Sequence, residues 1–225
     1  MWHLWYTGSI GGWMLKAKQK RGVLIRMDRV ITVSREFGSG GRELGVKLAE
    51  IFGIPFYDKE LISMAADDIN IAEEAFRRYD EHIEVDDALD RQLHHAFSEI
   101  YTVPMSDQIF VAQSNVIRRL ASHGPCVIVG RCADMILEDS IDLFIYAKMK
   151  DRVERMMRLE PGSDEKEMEQ RIREVDRKRK DYYQYYTGNT WGRAQNYHLC
   201  LNSGLVGVEG CIRAVVSYLG DLCEK

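Results

Sequence analysis

Short apolar runs alternate with longer segments of helical periodicity along most of the chain. Five of these runs predict β-strands, and they lie at residues 30–34, 54–57, 126–129, 143–146 and 197–201. Apolar residues spaced three and four apart predict helices within residues 42–52, 59–123, 151–159, 164–186 and 208–219. Because the two kinds of element alternate, we expect an α/β fold with a mostly parallel sheet and helices on both faces.

Helix ends are marked by two serines and a glycine. Ser106 precedes the clearest apolar face in the second helical segment, and Ser163 precedes the long helix that Gly188 ends. Serine hydroxyls cap helix N-termini well, and glycine adopts the left-handed conformation that ends a helix. We therefore expect Ser106 and Ser163 to be N-caps.

Composition narrows the class of protein. The 225-residue chain carries a net charge of −4, whereas a protein whose whole surface binds nucleic acid is normally basic. No apolar run approaches the ~20 residues needed to cross a bilayer. Its five cysteines are irregularly spaced, with no CxxC pair, which indicates reduced and mostly buried thiols in a cytoplasmic protein. We expect no nucleic-acid partner, no membrane partner and no metal site built from side chains.

Glycines cluster where the first strand gives way to the first helix. The loop contains Gly38, Ser39, Gly40 and Gly41. Glycines let backbone N–H groups curl around an anion, and a helix N-terminus adds partial positive charge at the same point. The loop therefore predicts phosphate binding, although a tight strand-to-helix turn alone would also need glycine.

The loop departs from the standard pattern G-x-x-x-x-G-K-[ST], whose lysine reaches the terminal phosphates. If Gly41 is the last glycine of the motif, Arg42 and Glu43 take the places of the lysine and the hydroxyl residue. If Gly40 is that glycine, Gly41 falls at the lysine position. Arginine can supply charge and two parallel hydrogen bonds, and a carboxylate such as that of Glu43 can bind Mg²⁺.

Other candidate residues follow later strands. Parallel sheets bind ligands outside the carboxyl ends of their strands, where Asp58 and Arg131 lie. Asp58 predicts a substrate contact or a helix N-cap, and Arg131 predicts a phosphate contact or a surface ion pair. The basic run from Arg171 to Lys180 is typical of a solvated helix face. The aromatic cluster at residues 182–191 can stack on a base or pack the helix against the core.

The ordered motifs of the chain resemble the cytidylate kinase-like family. They are residues 31–44 (ITVSREFGSGGREL), 53–62 (GIPFYDKELI), 129–131 (VGR), 181–183 (DYY), 186–188 (YTG) with Trp191, and 197–202. This resemblance implies a P-loop NTPase-type fold with a five-stranded parallel sheet. It also implies a helical substrate-binding insertion at residues 59–123 and a lid at 160–195, within a domain spanning residues 27–225. Residues 1–26 then form an N-terminal extension, which we expect to be disordered.

The resemblance also implies an activity. It is ATP-dependent, Mg²⁺-assisted phosphoryl transfer to a nucleoside monophosphate such as CMP. Gly38, Ser39, Gly40, Gly41, Arg42 and Glu43 would hold the nucleotide, and Asp58 and Arg131 the acceptor. Phosphoryl transfer needs positive charge on the transition state, and Arg42 with the lid residues Arg177 and Arg179 would supply it.

Two other functions stay open at this point. The missing Lys-Ser/Thr pair is compatible with a nucleotide-binding regulator that has no kinase turnover. The helical insertion lacks a recognisable base-reading signature, so the acceptor can also be a small molecule other than a nucleotide. The sequence does not indicate the oligomeric state.

Overall fold

The computed structural model describes residues 27–68 and 104–223, which contain a five-stranded parallel sheet. Its strands are β1 (Val30–Arg35), β2 (Phe56–Tyr57), β3 (Val127–Val129), β4 (Ser140–Tyr146) and β5 (Leu199–Asn202). Their spatial order is β2-β3-β1-β4-β5, and every pairing is parallel. The predicted fold class is therefore confirmed. The predicted extension at residues 1–26 lies outside the described residues, as do residues 69–103 of the predicted insertion.

Helices connect the strands across both faces of the sheet. They are α1 (Gly41–Phe52), α2 (Glu60–Asp68), α3 (Met105–Ser122), α4 (Ala133–Ile136), α5 (Met149–Leu159), α6 (Glu165–Thr187) and α7 (Ser203–Cys223). Left-handed Gly53 and Gly188 end α1 and α6, the latter as predicted. Within the described parts of the chain, no helix combines the length and apolar character needed to span a membrane.

Both predicted serine caps are wrong. Helix α3 already begins at Met105, and Pro104 is the residue before it, since the fixed φ of proline suits a helix start without any capping side chain. Helix α6 is capped by Asp164, whose carboxylate accepts hydrogen bonds from the N–H groups of Lys166 and Glu167 at 2.9 and 3.1 Å. A carboxylate also interacts favourably with the positive end of a helix, and so Asp164 displaces Ser163 from the cap.

Strand β4 starts three residues before its predicted start because polar residues in it are buried. Ser140 and Asp142 lie in β4 with 5% and 8% exposure. The hydroxyls of Ser140 and of Thr32 in β1 both donate to Asp142 Oδ1 at 2.6 Å. Hydrogen bonding of this kind lets polar side chains occupy the interior of a sheet, where the apolar pattern does not reveal a strand.

Two apolar clusters hold the helices against the sheet. On one face, Ile31, Val33, Leu143 and Ile145 pack against α1 and α7. On the other, Val30 and Ile128 pack against α2 and α3 through residues that include Leu61, Ile109 and Ile117. The predicted core face of the last helix is confirmed, since Val208, Cys211, Ile212, Val215 and Leu219 are all buried. Four described cysteines are free thiols, of which Cys126, Cys132 and Cys211 are buried.

We expect Leu48→Ala to destabilise the fold strongly. Leu48 is fully buried between α1 and the sheet, so truncation leaves a cavity and should lower the free energy of unfolding by about 2–5 kcal/mol. Urea denaturation measures the loss. Val111→Ala on the exposed face of α3 is the control and should change stability by about 0.5 kcal/mol or less. Equal losses in the two variants would contradict this account of the core.

Candidate active site

The glycine loop lies between β1 and α1 in a conformation that only glycine adopts easily. Gly38 and Gly40 have φ values of 79° and 83°, in the left-handed region. Gly40 also has no room for a side chain, because a Cβ there would lie 2.6 Å from Val208 Cγ2 and 3.2 Å from Arg155 Cζ. Gly38 and Gly40 are therefore required by both backbone conformation and close packing.

Polar contacts hold this loop on the carboxyl ends of the strands. The buried Ser39 hydroxyl lies 2.8 Å from the Glu36 carbonyl and 3.0 Å from the Ile145 carbonyl of β4. The Ser203 hydroxyl, which follows β5, donates to the Ser39 carbonyl at 2.5 Å. Gly40 is the N-cap of α1 and has no side chain to cap it, so the first-turn N–H groups face no capping group. This arrangement suits an anion.

Helix α6 reaches the loop through a carboxylate. Asp176 Oδ1 accepts a hydrogen bond from the Phe37 N–H at 2.7 Å, and Asp176 Oδ2 accepts one from the Arg152 guanidinium. Arg152 is buried and also lies 3.5 Å from a carboxylate oxygen of Glu36. Burial raises the pKa of Glu36, and this outweighs the hydrogen bond from the Ala147 N–H and the charge of Arg152. The loop and α6 thus share one partly buried ionic cluster.

Two predicted site residues, Arg42 and Asp58, lie in contact with each other. Arg42 Nε donates to Asp58 Oδ2 at 2.8 Å, and the Arg42 guanidinium lies 5.6 Å above the ring of Phe56. Asp58 is buried, and its other carboxylate oxygen lies 3.8 Å from Arg35 Nη2. The carboxylate of Asp58 thus joins α1 to the ends of β1 and β2 by contacts with arginines.

The remaining predicted loop residue, Glu43, is engaged by basic side chains. Its carboxylate accepts a hydrogen bond from Arg155 and lies 3.3 Å from Lys47 Nζ. Partial burial pushes the pKa of Glu43 up, but the hydrogen bond and charge of Arg155, with Lys47, together leave that pKa below its ordinary value. Among the described residues, no three acidic, histidine or cysteine side chains cluster so as to hold a metal ion.

A strained turn follows β3. Gly130, Arg131 and Cys132 all have left-handed backbone conformations, with φ of 78°, 59° and 54°. Such values are uncommon for residues with side chains, and they are typical of functional sites. The turn directs Arg131 into the interior, where it is only 7% exposed. A surface ion pair, the alternative interpretation of Arg131, is therefore wrong for this side chain.

Arg131 lines an open pocket at the carboxyl ends of β1 and β3. The pocket is narrow, with a cavity volume of about 30 Å³. Its lining includes Ser34, Gly130 and Cys132. It also includes three arginines and three aromatic residues, which are Arg35, Arg131, Arg179, Tyr182, Tyr183 and Trp191. Arg179 enters from α6 and donates through Nη1 to the Arg35 carbonyl at 3.2 Å. The lining is therefore rich in positive charge.

The two predicted lid arginines differ in position. Arg179 lines the pocket, whereas the Arg177 side chain is 68% exposed and lies 3.8 Å from Asp181 on the same helix. Residues 177 and 179 lie about 200° apart around a helix, so they cannot face the same site without a change in α6. The aromatic residues beside them mainly pack the helix, with Phe110 stacked on Tyr186 at 4.0 Å between ring centroids.

A buried carboxyl lies behind the pocket. Asp134 accepts a hydrogen bond from the Tyr183 hydroxyl at 2.7 Å, and the Ser34 hydroxyl lies 3.5 Å from its other oxygen. Burial raises the pKa of Asp134 to about 6, and the negative charge of Asp142 adds to this effect. Burial and the nearby Asp134 raise the pKa of Tyr183 far above its usual value, so the phenol stays protonated and donates.

Sequence reasoning missed Arg35, Asp134 and Asp176. Arg35 could have been found, because it stands where the standard loop has its first glycine when Gly40 is taken as the last. Asp134 gave only the weak signal of an acid near Gly130-Arg131. Asp176 gave none, since it lies 139 residues from the loop N–H group that it binds.

A parallel sheet of this strand order, with a glycine loop after its central strand, is the fold of the P-loop kinases. The chain belongs to the cytidylate kinase-like family, whose model matches residues 30–205. Family membership supports a small-molecule kinase. Comparison with curated proteins found no match to the chain.

Two solved structures illustrate the similarity. One, described as an uncharacterized protein from Eubacterium ventriosum, is 29% identical with a TM-score of 0.64, and the match covers 85% of this chain and 98% of that one. The other is a gluconokinase from Sinorhizobium meliloti, 15% identical with a TM-score of 0.50, covering 88% of this chain and 95% of that one. The second likeness concerns the fold alone.

We expect Asp134→Asn to change how stability depends on pH. The pKa of Asp134 is raised in the folded protein, so its contribution to stability is greatest below pH 4 and is lost as the pH rises through about 6. From pH 4.5 to 7.5 the parent should therefore lose up to about 2 kcal/mol relative to the variant.

Urea denaturation at the two pH values measures this difference. Asp139→Asn is the control, because the Asp139 side chain is 81% exposed and should leave the pH profile unchanged. A constant difference between parent and Asp134→Asn across the pH range would contradict the prediction.

Proposed function

We propose that this protein transfers the terminal phosphoryl group of ATP to a nucleoside monophosphate, such as CMP, or to a related small anionic acceptor. One observation carries the proposal: three arginines, Arg35, Arg131 and Arg179, line a pocket directly beside the glycine loop. In a member of the cytidylate kinase-like family, a positively charged pocket next to the glycine loop supports an acceptor site beside a phosphate-binding turn.

The triphosphate would bind to the loop formed by Gly38, Ser39, Gly40 and Gly41. The close backbone approach at Gly40 and the uncapped start of α1 favour an anion there. Arg42 and Glu43 follow directly, and both are engaged by other side chains, Arg42 by Asp58 and Glu43 by Arg155. They therefore act in the proposal as supports of the loop rather than as direct copies of the standard lysine and hydroxyl residue.

Mg²⁺, when bound with ATP, would neutralise charge on the phosphate oxygens. Magnesium keeps several waters and needs only one or two carboxylates beside the phosphates, so a three-ligand protein cluster is not required. Asp58, at the end of β2, contacts Arg42 and Arg35. Its carboxylate would hold a water of the ion or the acceptor.

Arg131 and Arg179 would hold the acceptor. Arginine binds phosphate and carboxylate groups with two parallel hydrogen bonds, and both side chains line the pocket. Tyr182 and Trp191 offer flat apolar surface to a ring. Phosphoryl transfer depends mainly on alignment and on positive charge near the moving group, and a lid that carries Arg179 would add that charge on closing.

One observation favours a second function. The Asp176 carboxylate already accepts the hydrogen bond of a loop N–H group, that of Phe37, and no lysine follows the loop glycines. A nucleotide-binding regulator without turnover would need no more than the remaining loop contacts. The helical insertion also leaves open an acceptor that is not a nucleotide.

We expect turnover of ATP with at least one nucleoside monophosphate. The experiment incubates the protein with ATP, Mg²⁺ and a panel of nucleoside monophosphates, small hydroxy acids and sugar acids, and detects phosphorylated products by mass spectrometry. ATP binding without any product would favour the regulator. Product formed only with acceptors other than nucleotides would favour the alternative kinase.

We expect Arg179→Ala to lower kcat about a hundredfold with the preferred acceptor. The guanidinium of Arg179 is the α6 charge that lines the pocket, and loss of one group that stabilises transition-state charge costs a factor of this order. Steady-state kinetics measures the effect. Arg173→Ala, an exposed arginine paired with Glu169 on the same helix, should leave kcat within about twofold. Equal kcat values in both variants would contradict the role of Arg179.

A further inference from the structure

The side chain of Arg35 crosses the position from which the lysine of a standard phosphate-binding loop would project. Gly41 takes that lysine position when Gly40 is counted as the last glycine of the motif. Gly41 is the first residue of α1, and its φ lies outside the left-handed region. Its backbone would therefore accept any side chain, so backbone conformation does not explain why glycine is present.

Packing explains the glycine instead. A Cβ on Gly41 would overlap the Cβ of Arg35 and lie 3.0 Å from its Cγ. The Cβ of Arg35 is fixed by the β1 backbone and cannot rotate away. A lysine at residue 41 and an arginine at residue 35 are thus mutually exclusive in this backbone, and this chain has the arginine.

The far end of the same side chain lies between the loop and the pocket. Its guanidinium lies against Gly130, where a Cβ would be 3.1 Å from Arg35 Cζ, and Nη2 lies 3.8 Å from Asp58 Oδ1. The Arg35 side chain is only 14% exposed and lines the pocket that also contains Arg131 and Arg179. The charge is therefore held at the junction where donor and acceptor phosphates would meet.

We propose that Arg35 takes the place of the missing loop lysine and binds the terminal phosphates of the nucleoside triphosphate. This inference rests on the proposed function. An arginine can serve because its planar guanidinium matches phosphate oxygens with two hydrogen bonds and stays charged under all physiological conditions. Compared with the standard loop, the positive charge then projects from residue 35 at the end of β1 and not from residue 41 at the start of α1.

Charge removal at residue 35 is the first part of the test. Arg35→Met keeps the apolar stem against Gly41 and removes the guanidinium, and isothermal titration with a non-hydrolysable ATP analogue and Mg²⁺ measures Kd. We expect Kd to rise at least tenfold, as for loss of a hydrogen bond to a charged group. Arg29→Ala is the control, because Arg29 directly precedes β1, at the end opposite Arg35, and is half exposed in a pair with Asp139.

Exchange of the pair is the second part. Gly41→Lys alone should lower the melting temperature and weaken binding, since any side chain introduced on α1 at this position would overlap Arg35. The double variant Arg35→Gly with Gly41→Lys restores the first glycine and the lysine of the standard pattern, and it should bind the analogue more tightly than either Arg35→Gly or Gly41→Lys. A melting curve for each protein separates loss of folding from loss of binding.

The outcomes distinguish the two proposals. If the parent itself binds no ATP analogue, the proposed function fails and this inference fails with it. If the parent binds but a folded Arg35→Met binds equally well, the inference about Arg35 alone is overturned. A double variant that folds and binds no better than Arg35→Gly would also overturn it.

Discussion

The parallel pairing of β1 with both β3 and β4 decides which side chains meet in this protein. The pairing brings the carboxyl end of β1 beside Gly130 on one side and beside Ile145 on the other. Charged and strained residues that are far apart in the chain therefore converge at one edge of the sheet. Without this register, the arginines after β1 and β3 would not line a common pocket.

Apolar residues pack on both faces of the sheet, but one face of β1 also carries buried polar side chains. One face of β1 carries Ile31 and Val33 into an apolar core, and the other carries Thr32 and Ser34 toward buried carboxylates. Asp142 and Asp134 are each held by hydroxyl groups, Thr32 and Ser140 for the former and Tyr183 for the latter. Buried polar networks of this kind position their members rigidly when every group is paired. These hydrogen bonds form a polar network behind the pocket.

Much of the fold could be predicted from the order of apolar runs, because strand–helix alternation allows few topologies. Helix caps were harder to predict from the sequence. Adjacent residues such as Ser163 and Asp164 are both good caps, and only the three-dimensional path of the chain decides between them. The predicted strand at residues 143–146 is too short for a similar reason, since the polar side chain of Asp142 is buried by a hydrogen-bond partner in β1.

The candidate site likewise has features that the sequence predicts and features that only the tertiary structure shows. Glycines of the loop carry a local signal, because their conformation depends on neighbours in sequence. The direction of the Arg35 side chain depends on strand pairing and on the packing of α1, which no local pattern contains. The contact between Arg42 and Asp58 likewise joins two predicted residues whose roles the sequence could only suggest separately. Their assignment to nucleotide and acceptor stays a prediction.

The hydrogen bond between Asp176 and the Phe37 N–H has a mechanical consequence. Asp176 lies at the midpoint of α6, and its carboxylate is also bound by buried Arg152. The hydrogen bond therefore fixes the centre of α6 to the glycine loop. A tilt that raises the end at Thr187 would lower the end capped by Asp164, or else break the hydrogen bond to Asp176 and release the Phe37 N–H, whereas Arg179, three residues from Asp176, would move little.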